Sequence, residues 1–599
     1  MDERRALLAV VLIFLVLFGY NFIASRTGQK PVAEPVDSTE GVAERAVPDT
    51  VSEGGLSAVG SGSAERVFAA PVEEPGADGE VTGAGLPERA IVVESPLWVA
   101  TFSTRGASVT SWRLLGYEAA GGGYVDLVPP DKRGLELDVR YGPSVIETGR
   151  LDFRYDGPNH LTLVEGGASS LKFDAVSSSG VQVSKEYILS PDAYAFRLLV
   201  GVGGLVEPGA RREVWIGWPG VVPSEKREDD NAIGTVALVD GKVARTRLRG
   251  LKDEDVERES GVIDWVASQS QYFVTAVMPE GDSFIGVETT GDAENRAAAF
   301  TAGLRVEGEA AATAFAVYAG PQDYHALREM GRHLDRAIDL GWTIFRPLSV
   351  FMLVALRWAY RLIPNYGVVI ILFSIITKLL FYRLTHKSFT EMKRMQDLQP
   401  KLQALKEKLG SDREALARAQ MELYKKEGVN PMGSCLPMLL QMPVFIALYQ
   451  VLRTTIELRG APFALWITDL SMPDTVAFIA GFPIHVLPLL MGAAMLAQQR
   501  MSSKDPSQAI VNNLMPIVFT ALFYNFASGL VLYWLVNTVL SVAQQFYVQR
   551  GSTAARTADA ATPDGAPAPS PPAPPMSVPN ESPRAGGARA VQGRRRRRK

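Results

Sequence analysis

The chain has 599 residues, enough for several domains, and its 61 basic and 65 acidic residues nearly balance at a net charge of −4. The single cysteine, Cys435, excludes an intramolecular disulfide and any multi-cysteine metal site, and the five histidines form no HExxH or comparable ligand pair. With no Ser/His/Asp set or dicarboxylate pair in view, no catalytic residue, metal or cofactor is assigned, and a hydrolase is the weakest reading.

The chain opens MDERR, and residues 6–24, ALLAVVLIFLVLFGYNFIA, form an uncharged run of 19 residues, about the length that crosses a hydrocarbon core. Arg4 and Arg5 hold its start on the cytoplasmic side. A cleaved signal peptide is the rival, but the run is long for one and Ile23-Ala24-Ser25 is a weak cleavage context; residues 1–24 are read as an uncleaved anchor. Residues 25–88, rich in Gly, Ala, Ser, Pro, Glu and Val, read as a flexible linker.

From Ile91 the character changes. LELDVRYG, HLTLVEGG, LKFDAV and VQVSKEYIL alternate in period two and are broken by Gly, Pro, Asp and Asn. The pattern predicts a large antiparallel β-sandwich to about Tyr318, with an amphipathic helix over 323–339 completing a domain at 89–340. Following the first span, this domain falls outside the cytoplasm.

Apolar segments then occupy 348–382, 432–452, 475–497, 510–528 and 530–548. Arg357, Arg361 and Pro364 interrupt the first, so 348–361 reads as interfacial and 362–382 as the span. With the anchor this predicts six spans, five of them in a core over 341–548. Residues 383–430 carry eleven basic and seven acidic residues, whereas 456–475 carries one basic and three acidic. The positive-inside rule puts the former in the cytoplasm, the latter outside, and both chain ends in the cytoplasm. Within 384–430, Met392, Met395, Leu398, Leu402 and Leu405, then Leu416, Ala419 and Leu423, recur at helical steps. They predict a cytoplasmic helical hairpin, with Gly410 ending the first helix and Ser411 or Asp412 capping the second. Gly529 is expected to make a tight outer turn between the last two spans. Residues 549–599 read as a disordered tail; from Arg550 it carries ten basic and three acidic residues and ends Arg594, Arg595, Arg596, Arg597, Arg598, Lys599. Such a charge suits RNA or anionic lipid.

Several ordered stretches resemble the YidC family of membrane protein insertases, in the six-span form of Gram-negative bacteria. They are NYGVVIILFSIITK at 365–378, MKRMQDLQPKLQALKEKLG at 392–410, LYKKEGVNPMGSCLPMLLQMPVFIALYQVL at 423–452, ELRGAPFALWITDLS at 457–471 and MPIVFTALFYNFASGLVLYWLVNTVLSVAQQ at 515–545. FSTRGASVTSWRL at 102–114 is similar to an early motif of the family's periplasmic domain. The resemblance implies a protein of the bacterial inner membrane that receives nascent inner-membrane proteins in a hydrophilic groove, alone or beside the Sec translocon, as a functional monomer in the phospholipid bilayer. It implies a positive residue on the first core span, here Lys378, and a basic tail and hairpin that approach the ribosome, which assigns Arg594–Lys599 to ribosome contact.

The polar lining expected of such a groove is Thr377 and Lys378, Gln441, Thr520 and Asn525, then Asn537, Gln544 and Gln545. Each has a plainer alternative. Lys378 lies five residues from the charged boundary and can snorkel, Gln441 can serve carbonyls freed by Pro443, Thr520 can bond back to its own helix, and Asn525 and Asn537 can be packing contacts. The family usually has a proline where this chain has Arg383, in Phe381-Tyr382-Arg383-Leu384-Thr385. On a continuous helix Arg383 would sit about 7.5 Å beyond Lys378 and share its role. A secondary transporter would also welcome a membrane lysine, but no inverted repeat or acidic pair is visible. An envelope assembly scaffold anchored by the bundle is the other alternative.

Overall fold

The computed structural model describes residues 87–560 apart from 165, 205–210, 226–229, 252–254, 308–310, 411, 430–435 and 503–508. The N-terminal anchor and the basic end Arg594–Lys599 lie outside the described residues.

Alternation sets the outer strands of the β domain. In Gln182–Leu189 every second side chain is buried, and the neighbouring strand Ser169–Val176 follows the same rhythm. Both belong to a 13-stranded sheet, faced by a 5-stranded sheet that includes Trp98–Ser103 and Ser108–Glu118. Between them Trp98 stacks on Trp112 at 4.4 Å, Trp112 on Phe196 at 4.9 Å, and Phe102 tilts against Tyr187 at 4.9 Å. The architecture is sandwich-like. Alternation fails at Phe273–Pro279, which is buried at all seven positions, because the large sheet is covered on its other face as well. HLTLVEGG, expected as a strand, pairs only over His160–Thr162.

Lys185 is an inward residue of Gln182–Leu189 and is fully buried. Its ammonium donates to the carbonyls of Gly106 at 2.7 Å, Leu135 at 2.8 Å and Ala107 at 3.3 Å. Those three residues have left-handed backbones, with φ of 72°, 59° and 42°, so one ammonium with three donors holds two turns together. The Arg-Gly-Ala of the 102–114 motif is one of these turns. Glycine is required at 106, where a Cβ would lie 2.9 Å from the Gly149 Cα.

The helices are α1 Tyr324–Glu329, α2 Arg346–Leu362, α3 Tyr366–Leu380, α4 Tyr382–Asp397, α5 Gln399–Leu409, α6 Arg413–Lys426, α7 Leu436–Thr454, α8 Val486–Ser502, α9 Ala509–Phe523 and α10 Ser528–Ala560. The single helix expected over 323–339 is instead α1 and a 3-10 turn at Leu334–Ala337. Gly331, Arg332 and His333, all at positive φ, break it, and the reversal lets Leu327, Leu334 and Ala337 all be buried.

Asp323 caps α1, accepting from the backbone N–H of His325 at 2.7 Å and of Ala326 at 3.1 Å. It also pairs with Arg357 of α2 at 2.6 Å, and Arg357 pairs with Glu457, just after α7, at 2.9 Å. Arg346–Asp335 at 3.0 Å and Arg459–Glu225 at 2.8 Å add two more ties between the β domain and the helices. Beneath them an apolar core runs from Trp265, Tyr318 and Leu327 to Met352, Leu448 and Leu530. The described residues up to Gln545 form one compact unit, and the described residues from Phe546 on fall in a second.

Among the described residues, one stretch, Ser528–Val548, is by itself long and apolar enough to cross a bilayer. Helices α3 and α4 qualify together as a pair bent by 67°. The span expected at 475–497 is a β-hairpin, Thr475–Ile479 with Phe482–His485, leading into α8. Ala480 and Gly481, both at positive φ, make the reversal that a helix would forbid. The first hairpin helix is divided between α4 and α5 by Pro400, which sits in the first turn of α5. Asp412 caps α6 as expected, accepting from Glu414 and Ala415, but Gly410 keeps a right-handed backbone, with φ −60°. The tail expected to be disordered from 549 continues α10 to Ala560, through the alanine-rich STAARTADA.

Two stability predictions follow from the β domain and its junction with the helices. Burial pushes the Lys185 pKa from 10.5 down to about 7, with Glu136 and Asp138 pulling the other way. Between those values the unfolded chain binds more protons than the folded one, so stability should rise with pH across that window. Lys185→Met should abolish this slope and cost roughly 1–3 kcal/mol for each carbonyl left bare, measured by chemical denaturation at two pH values. For Asp323, burial opposes the charge, but Arg357 and the α1 N–H groups outweigh it and hold the pKa below 3.8. Its contribution is therefore present above that value and lost as pH falls through the lowered one. Arg357→Met should cost roughly 3 kcal/mol by leaving two carboxylates half-buried, seen as faster hydrogen exchange in α1 and α2; adding Asp323→Asn and Glu457→Gln should recover most of it.

Candidate functional site

The helices that carry the polar span residues are positioned at one end by a single loop. Asn365 caps α3, its Oδ1 accepting from Val368 N–H at 3.1 Å, while its Nδ2 donates to the Phe463 carbonyl at 3.0 Å. Gly367 follows because a Cβ there would meet the Phe463 ring at 2.1 Å. Further along the same loop, the Asp469 carbonyl accepts from Ser528 Oγ at 2.8 Å, and the Leu470 carbonyl from Gly529 N–H at 2.9 Å. Gly529 thus sits in the first turn of α10 rather than making the turn between the last two helices. Residues 524–527 make that turn, and the missing Cβ lets Leu470 and Ile370 approach.

With α3 and α10 set against the same loop, their polar residues meet further along. Lys378 Nζ donates to Ser541 Oγ at 2.6 Å, and Ser541 Oγ in turn donates to the Asn537 carbonyl at 2.7 Å. Asn537 is buried and donates to the Tyr533 carbonyl at 3.2 Å. The buried Tyr533 hydroxyl lies toward Gln441 and Asn537 without a well-formed hydrogen bond to either. One turn beyond, Gln544 Nε2 donates to Thr385 Oγ1 at 2.9 Å. Thr377, Lys378, Phe381, Thr385, Gln441, Val444, Tyr533 and Asn537 line one narrow pocket of about 20 Å³.

The structure therefore brings Thr377, Lys378, Gln441 and Asn537 together. The Thr377 hydroxyl is spent within its own helix, on the carbonyls of Phe373 at 2.9 Å and Ser374 at 3.0 Å. Asn525 lies elsewhere, in a cavity of about 510 Å³ shared with Tyr272, Tyr449 and Arg453. Thr520 bonds back to the Pro516 carbonyl at 2.8 Å and packs where Gly492 has no Cβ, a position in which one would lie 2.1 Å from its Oγ1. Arg383 is exposed and does not line the pocket. The 67° bend at Phe381 takes it off the axis of α3, so the continuous-helix spacing does not hold. No proline stands at this bend, and Thr385 Oγ1 serves the carbonyls of Phe381 at 3.0 Å and Tyr382 at 3.1 Å there.

Ser541, Thr385 and Tyr533 are the lining or bonding residues that sequence reasoning did not single out. For Tyr533 and Ser541 the signal was present on α10, where Tyr533, Asn537, Ser541 and Gln544 or Gln545 recur at steps of three or four and make one polar stripe along an apolar helix.

Comparison with known proteins covers both halves of the chain. Residues 90–351 match the family described as YidC periplasmic domain, and residues 358–555 the family described as 60Kd inner membrane protein. A Membrane protein insertase YidC of Pelobacter propionicus is 34% identical over 572 residues, covering 92% of this chain and 99% of the relative. One of Citrifermentans bemidjiense is 37% identical over 483 residues, covering 77% of this chain and 85% of the relative. A solved structure, described as an active YidC insertase with the first transmembrane domain resolved, is 19% identical with a TM-score of 0.34, covering 80% of this chain and 96% of that one. This chain, with its periplasmic domain and polar-striped helical core, belongs to the YidC family of inner-membrane protein insertases.

Proposed function

We propose that this protein is an insertase and chaperone that inserts and folds inner-membrane proteins through the polar cleft between α3, α7 and α10. The observation that carries the reading is the Lys378 ammonium, half-buried among apolar helices and hydrogen-bonded to Ser541 beside Gln441 and Asn537. A lysine this far from water is retained where its charge is used.

Insertion needs no covalent step. Its barrier is the passage of a polar segment through hydrocarbon, at least ~2.5 kcal/mol for each charge near the bilayer centre. A cleft lined by amides and hydroxyls holds water and shortens the apolar path, and a fixed cation attracts an acidic translocating tail. The chain works alone or with the Sec translocon, as a monomer. Six spans put both termini in the cytoplasm and the β domain in the periplasm, in accord with the charge difference between 383–430 and 456–475. The helical hairpin and Arg594–Lys599 approach the ribosome, where basic residues meet RNA phosphates.

The test is protease-protected insertion of a small acidic-tailed client into liposomes holding the purified protein. Lys378→Ala should slow insertion roughly tenfold, equivalent to about 1.4 kcal/mol of lost attraction. Ser541→Ala should have a smaller effect in the same direction, and Arg383→Ala little. Equal insertion by all four proteins would remove charge attraction from the mechanism, and no insertion by wild type alone would remove the Sec-independent route.

A further inference from the structure

The hairpin that replaces the expected start of a span has a surface unsuited to water. All five residues of Thr475–Ile479 are exposed, so neither face of this strand is covered. Val476 is 49% exposed, Phe478 69%, Ile479 64% and Phe482 75%. No Asp, Glu, Lys or Arg occurs between Asp474 and Arg500. A bare two-stranded hairpin is marginal in water, and an uncharged apolar edge invites aggregation.

Its base is nevertheless firmly held. Asp474 Oδ2 accepts from Trp466 Nε1 at 3.0 Å and from Leu487 N–H at 2.6 Å. Tyr524 Oη donates to the Pro483 carbonyl at 2.8 Å, with its ring 4.7 Å from that of His485. The hairpin is thus fastened at its root and bare beyond it. The bare surface continues directly into α8, where Leu489 and Leu490 are 49% and 45% exposed.

We infer that the hairpin is a membrane-interface anchor, its apolar side chains lying in the outer leaflet of the bilayer at the headgroup–acyl boundary. Three features favour lipid over a protein partner. Both faces of one strand are bare, the surface carries no charged rim that would specify a partner, and it is continuous with the outer end of α8. Aromatic side chains such as Phe478 and Phe482 suit that depth, and the backbone groups of the reversal stay near headgroup water. The hairpin fixes the level of α8 in the membrane and, through Asp474 and Trp466, the level of the loop that pins α3 and α10. This inference rests on the proposed topology, which places α8 across the bilayer.

The experiment uses the full-length protein with Cys435 replaced by Ser and single cysteines introduced as Phe478→Cys, Ile479→Cys or Leu490→Cys. Each carries an environment-sensitive fluorophore, in vesicles of phosphatidylethanolamine and phosphatidylglycerol brominated either near the headgroup or near the chain end. Labels at 478 and 479 should be blue-shifted and quenched mainly by the shallow bromine. Water-like emission at 478 and 479, with Leu490→Cys still quenched, overturns the anchor while leaving the topology standing. Blue-shifted emission that neither lipid quenches means that protein covers the hairpin, which also overturns it. Loss of quenching at Leu490→Cys removes the membrane placement of α8, and the anchor with it.

Discussion

One guanidinium joins the two parts of this protein. Arg357 lies between Asp323, at the end of the β domain, and Glu457, at the start of the loop that follows α7. Removing such groups from water costs free energy, and their main effect is geometric, because only one arrangement satisfies all three. Each partner has a second attachment. Asp323 caps α1, and Glu457 opens the segment whose continuation, through Phe463, Asp469 and Leu470, holds the ends of α3 and α10. Arg357 therefore links the β domain to the segment that holds the cleft walls, beside the Arg346–Asp335 and Arg459–Glu225 pairs and the apolar core beneath them.

The cleft depends on that placement. A lysine on α3 and a serine on α10, 163 residues apart in the chain, reach 2.6 Å only if both helices start at the correct height and rotation. Glycines make this possible at the crowded end, since any side chain at 367 or 529 would push the loop away. The polar stripe on α10 then supplies a partner to two of the polar residues that face it, Ser541 to Lys378 and Gln544 to Thr385. Leaving a half-buried ammonium without such an acceptor would be costly in an apolar surrounding.

The β domain shows how far a local pattern can be read. Outer strands such as Gln182–Leu189 display period two because one face meets the other sheet. Central strands such as Phe273–Pro279 do not, because both faces are covered, and no local pattern distinguishes that run from a buried helix. Lys185 is a sharper case. In sequence it is a polar residue in an alternating strand, yet it is fully buried, holding the Gly106 and Leu135 turns, and only long-range contacts make that role visible.

The sequence by itself determined the β character of 91–318, the apolar segments, a cap at Ser411 or Asp412 and the polar positions within the apolar runs, while the family resemblance singled out Lys378 among them. The local features follow from hydrophobic period, charge and capping chemistry, all of which act within a few residues. Tertiary structure decided that 475–485 turns back as a hairpin, that the chain bends by 67° at Phe381 and removes Arg383 from the cleft, and that Asn525 and Thr520 belong to other contacts. It also chose Ser541 as the acceptor for Lys378. The physical reason is the same in each case: an exposed apolar run, a helix break and a polar span residue all have more than one local solution. The choice among them is made by neighbours that lie far away along the chain.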